Sequence, residues 1–75
     1  MKTPKFTGRN VSILEISQAT GKAPQLIRIA LQRGIFNFGW AFKNEGSTEY
    51  TYYCPDKKVY EEIGYFKGDY VNEHE

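Results

Sequence analysis

The hydrophobic pattern of this chain changes period at Gly34. Upstream, apolar residues recur every three or four positions, the spacing of a helix that buries one face. Downstream they recur at every second position, the spacing of a strand. One chain carrying both periods in that order predicts an α+β domain, with short helices ahead of a β-hairpin. A chain of 75 residues makes one domain, and a domain of this size buries only about 60% of the surface its unfolded form exposes. Such a core supports two or three helices and a small sheet, and leaves little room for a catalytic cleft.

The helical half is well punctuated. Ser12 to Glu15, "SILE", has the form of a capping box, in which the serine hydroxyl accepts the amide three residues on and the glutamate reaches back. A first helix is expected from Ser12 to Thr20, stopped by Gly21 in a left-handed turn. Pro24 suits the first turn of a second helix, where its missing amide would be unpaired in any case, and Gly34 terminates that helix after Arg33. Within it Leu26, Ile27, Ala30 and Leu31 can turn inward, while Gln25, Arg28 and Gln32 share an outer stripe.

In the other half, "IFNFGWAFK" alternates Phe36, Phe38, Trp40 and Phe42 on one side, and "TEYTYYC" is similarly aromatic. Asn44 to Ser47, "NEGS", is the turn between them. A lone hairpin is unstable in water, so this aromatic side is expected to lie on the helices and to supply much of the core. The alternation reads as a core face rather than as a base-stacking surface. A third helix is expected from Asp56 to Ile63, with Val59, Tyr60 and Ile63 inward and Gly64 at its end. The domain thus spans residues 11–66, flanked by a flexible arm at 1–10 and a mobile acidic tail at 67–75.

The inventory of reactive side chains excludes several functions. Cys54 is the only cysteine and His74 the only histidine, which rules out an intrachain disulfide and a zinc site of four nitrogen and sulfur ligands. Cys54, Ser12, Ser17 and Ser47 have no evident base, so no nucleophilic centre is expected, and neither an enzyme nor a cofactor. With no signal-like or membrane-spanning run, the expectation is a cytoplasmic protein without membrane contact. Charge, by contrast, is polarised. Seven basic residues face one acid, Glu15, from Met1 to Lys43, and three face eight acids from Asn44 onward. A basic half suits a polyanion.

Two short helices around a glycine turn have the helix-turn-helix layout, whose second helix can enter the major groove. Arginine can pair bidentately with guanine, glutamine with adenine, and Lys22 can meet a phosphate. The chain also resembles small helix-turn-helix proteins of phages and mobile elements in Gram-positive bacteria, related to excisionases and to the MerR-like winged helix. The resemblance is carried by Gly21, Lys22, Pro24, Gln25, Arg28, Leu31, Gln32, Gly34, Phe38, Gly39, Ala41 and Lys43, and covers roughly residues 11–64. It implies a winged helix-turn-helix that binds double-stranded DNA, bends it and directs an integrase toward excision, with cooperative self-association on DNA as a further expectation. A promoter-binding phage regulator and a protein-binding antirepressor that uses the acidic half are the alternatives. The candidate DNA contacts are Lys22, Gln25, Arg28, Gln32, Arg33, Lys43 and Asn44. Two residues depart from the family pattern: Ala23 stands where a capping serine is usual, and Glu49 stands in the wing where a basic residue is common.

Overall fold

The computed structural model describes residues 2–72; Met1, the last residues of the acidic tail and His74 lie outside them. The fold is α+β, with three helices and two antiparallel two-stranded sheets. Strand β1 (Lys2–Pro4) is followed by helices α1 (Ile13–Thr20) and α2 (Pro24–Gln32), the hairpin strands β2 (Trp40–Lys43) and β3 (Tyr50–Tyr53), helix α3 (Asp56–Ile63) and strand β4 (Tyr70–Asn72).

Each helix ends where its local chemistry says it should. Ser12 accepts the Glu15 amide at 3.1 Å, but the return half of the capping box is absent. The Glu15 carboxylate turns instead to Arg9, which grips it at 3.2 and 2.9 Å, and to the Tyr65 hydroxyl at 2.6 Å. A bidentate guanidinium outcompetes a backbone amide for a carboxylate. Gly21 is left-handed, with φ of 74°, and three residues carry the chain into α2. That helix closes in a Schellman motif: Ile35 N–H reaches Ala30 O at 2.9 Å and Gly34 N–H reaches Leu31 O at 3.2 Å, with Gly34 at φ 70°.

The core is a cluster of Val11, Ile16, Ile27, Leu31, Phe38, Cys54 and Val59, with Ala41, Tyr52 and Ile63 packed against it. It lies between the helices and the inner face of the hairpin. The expected aromatic face is corrected here. Phe38 is buried at 3% exposure, yet Trp40 and Phe42 are 52% and 51% exposed. Gly39 is the physical reason. A Cβ at this position would lie 2.5 Å from Cys54 Sγ and 2.8 Å from Tyr53 O, so the bare backbone presses onto β3. The chain bends there, and β2 starts afresh with Ala41 rather than Trp40 and Phe42 facing in. Leu26 and Tyr60, expected inside, are also exposed, Tyr60 as part of a ring cluster with Phe6 and Phe66.

The terminal segments, expected to be a flexible arm and a separate mobile tail, are paired with each other. Lys2, Thr3 and Pro4 lie opposite Asn72, Val71 and Tyr70. Beyond β1, residues 7–11 run along residues 53–56. Asp56 accepts the amides of Thr7 and Gly8 at 2.9 and 3.0 Å, Asn10 Oδ1 accepts the Cys54 amide at 2.8 Å, and Val11 N–H donates to Cys54 O at 2.8 Å. Asp56 is only 3% exposed, and its carboxylate is the acceptor that two otherwise unsatisfied backbone donors require.

Candidate nucleic-acid interface

Helix α2 has one buried side and one open side. Ile27, Ala30 and Leu31 face the core. Gln25, Ile29, Gln32 and Arg33 are exposed, and Arg28 is half-buried at the edge of the open side. The polar stripe read from the sequence is therefore present but narrower than expected, because Leu26 and Ile29 occupy the centre and far flank. Together with Ile35 and Phe36 they line a shallow groove of about 520 Å³ against which Gln25 and Ala30 stand.

The start of α2 lacks a side-chain cap. Ala23 holds the extended geometry of a capping residue, φ −64° and ψ 142°, but has nothing with which to accept an amide. Lys22, just before it, is exposed, and its carbonyl accepts the Ser17 hydroxyl at 2.6 Å, which fastens the turn to α1.

The hairpin is tied to the same helix. Gln32 Nε2 donates to the Tyr52 hydroxyl at 2.6 Å, so Gln32 sits against β3. Lys43 lies at the last pair of the ladder, opposite Tyr50, and Asn44 opens the turn with its Oδ1 accepting the Thr51 hydroxyl at 3.0 Å. Among the seven candidate contacts, Gln25, Arg28 and Gln32 share one helix, Arg33 caps its end, Lys22 precedes it, and Lys43 and Asn44 form a second group at the hairpin tip. Glu49 is exposed near that tip, its amide held by Ser47 Oγ at 3.0 Å.

Electrostatically, the basic half of the chain stays largely uncompensated. Arg9 is taken up by Glu15, the one ion pair among the described residues. The Arg9 guanidinium, followed by the Tyr65 hydroxyl, holds the Glu15 carboxyl below its ordinary value. The remaining cations of that half, Lys2, Lys5, Lys22, Arg28, Arg33 and Lys43, have no carboxylate partner among the described residues.

Reading the sequence alone missed the outward aromatics Trp40, Phe42 and Tyr53 and the outward Leu26 and Ile29. For the first group a signal existed: glycine inside a strand-like run marks a close backbone approach and a break in alternation. For Leu26 and Ile29 none did, since apolar residues surround most of a nine-residue helix and only its packing partners decide which of them remain outside. Among the described residues no group of three or more histidine, cysteine or acidic side chains is placed to hold a metal, and no helix is long and apolar enough to cross a membrane. Comparison with protein families, with curated proteins and with solved structures finds no match to the chain.

Proposed function

We propose that the protein binds double-stranded DNA, with α2 entering the major groove and the β2–β3 hairpin lying beside it as a wing, and that it catalyses no reaction on the DNA. The observation that carries this reading is the unit of α1, a three-residue turn and α2, in which the outer face of the second helix is uncovered and offers Gln25, with Arg28 at its edge. Arg28 is assigned base reading, Gln25 and Gln32 stand beside it, and Lys22, Arg33, Lys43 and Asn44 are assigned the backbone. Support comes also from the Gln32–Tyr52 hydrogen bond, which makes helix and hairpin one body, and from six cations without carboxylate partners.

The finer reading is that of an excisionase-like architectural protein of a phage or mobile element, working with an integrase in the host cytoplasm. It rests on the resemblance of residues 11–64 to that family. Bending a short site costs about 1 to 6 kcal/mol, which added protein contacts offset. Footprinting on the DNA of the source element tests both levels: protection beside an attachment site supports excision, protection at a promoter supports a transcription regulator, and no protection at low salt overturns the duplex-binding proposal. In that last case the groove of Leu26, Ile29, Ile35 and Phe36 favours a second reading, a protein-binding module of the antirepressor kind.

A further inference from the structure

The outer face of the hairpin is an aromatic surface with no cover among the described residues. Strand pairing sets Trp40 opposite Tyr53 and Phe42 opposite Thr51, and these four side chains share the face turned away from the core. The Trp40 and Tyr53 rings are stacked, with centroids 5.8 Å apart and 12° between their planes. Tyr53 is held further by its hydroxyl, which donates to Gly8 O at 2.9 Å. The two rings are thus parallel and offset, with Tyr53 anchored by its hydroxyl, and about half of Trp40 is still open to solvent.

Two properties select what would cover it. A fixed aromatic plane stacks on any planar π system, and every nucleobase has one. The four residues of the face include no acid, and the half of the chain that ends at Lys43, to which Trp40 and Phe42 belong, has seven basic residues against one acid. That surplus complements a phosphate backbone. We infer that Trp40 and Tyr53, with Phe42 beside them, form a stacking platform for an unpaired nucleobase of DNA. The inference rests on the nucleic-acid reading above, but it uses the hairpin and not α2, and it concerns single strands where the other concerns a duplex.

Trp40 is the only tryptophan, so its emission reports on this face alone. Titration of the full chain with an oligothymidylate of about twelve nucleotides should quench it, and heparin of equal charge should not. By anisotropy of a labelled oligothymidylate, Trp40→Ala should weaken binding roughly 5- to 150-fold, the range one stacked base supplies, with Trp40→Phe in between. The inference is overturned if the oligonucleotide neither binds nor quenches, if heparin quenches equally, if Trp40→Ala binds as well as the parent, or if the emission shifts with protein concentration alone, which would mean that a second copy covers the face. Duplex footprinting separates the two proposals: a parent protein that fails on single strands but still protects its duplex site loses only this inference, whereas a Trp40→Ala variant that binds single strands poorly and still protects the duplex supports it.

Discussion

The Asp56 carboxylate accepts the backbone N–H of Gly8 at 3.0 Å, so the first turn of α3 holds the N-terminal segment in place. Thr7 donates to the same group through its amide at 2.9 Å, and Lys57 through its amide at 2.8 Å. Asp56→Ala would leave these amides without their acceptor, and hydrogen bonds to a charged acceptor contribute about 1.5 to 3 kcal/mol each. A loss of roughly 2 to 4 kcal/mol in denaturant titration is expected, together with rapid hydrogen exchange at Thr7 and Gly8.

Acid should undo the same contacts. Burial alone would raise the Asp56 carboxyl, but the amides of Thr7, Gly8 and Lys57 outweigh it and hold the group below its ordinary value of 3.8. Arg9 and Tyr65 do the same to Glu15, below 4.5. Both groups bind protons more weakly in the folded state, so their stabilisation is complete above these ordinary values and is lost as pH falls through the lowered ones. Melting temperature should therefore be flat from pH 7 to about 5 and drop below pH 4, and Asp56→Asn should flatten part of that acid limb. A parent protein with equal midpoints at pH 7 and pH 2.5 would contradict this assignment.

Core and surface aromatics should separate in melting experiments. Phe38→Ala removes a buried ring and is expected to cost about 3 to 5 kcal/mol. Trp40→Ala and Phe42→Ala remove rings that are half in solvent, and each should cost only about 1 kcal/mol, Trp40 through its stacking on Tyr53 and Phe42 through its cross-strand contact with Thr51. Gly39→Ala, which adds a single methyl group, should be worse than either, because the new carbon meets Cys54 Sγ and the Tyr53 carbonyl.

That ranking shows how far the sequence could be read. The α3 bounds, Asp56 to Ile63, the Pro24 start of α2 and the Asn44 to Ser47 turn were all legible, because capping residues, proline and left-handed glycines act locally and leave a local mark. Which side of β2 faces inward was not, since that depends on Gly39 meeting Cys54 across the hairpin. The hold of Asp56 on Thr7 and Gly8 was hidden for the same reason: its partners lie almost fifty residues away. On α2, residue type marked Gln25 and Arg28 as candidates, but only packing revealed that Leu26 and Ile29 share their open face.

Ala23→Ser offers a stabilising counterpart. Position 23 already has the backbone geometry of a capping residue, so a serine hydroxyl there should satisfy an amide of the first turn of α2 and add about 0.5 to 1 kcal/mol. A thermal midpoint unchanged within error would mean that the α2 amides are already satisfied by solvent.

Cys54 supplies a probe of global opening. Burial pushes its thiol up to about 11, and the residue is fully enclosed, so a thiol reagent at pH 8 should modify the native protein far more slowly than the unfolded chain. Labelling that tracks denaturant-induced unfolding is the expected result; immediate labelling would show that the Gly39–Cys54 contact opens readily.

On DNA, Arg28→Ala should cost about 1 to 3 kcal/mol on a specific duplex and much less on random duplex, whereas Lys43→Ala should weaken both alike and flatten the salt slope by about one unit. Contact with about four phosphates would give a log–log salt slope near −3.6. Glu49→Gln should tighten binding if the hairpin tip approaches phosphate. A competition assay in which Arg28→Ala leaves the specific-to-random ratio intact would remove α2 from the interface.

The pairing of Lys2–Pro4 with Tyr70–Asn72 also sets an order of events. Strand β1 precedes every other described element and has no partner until β4, the last of them, has emerged, so this ladder is the last of the described elements able to form during synthesis. Its closure joins the first and last described strands across a long loop, whose entropy must be overcome before the pairing is gained, so it forms late. The helices and hairpin can therefore assemble as a nucleus while the two end strands are still apart.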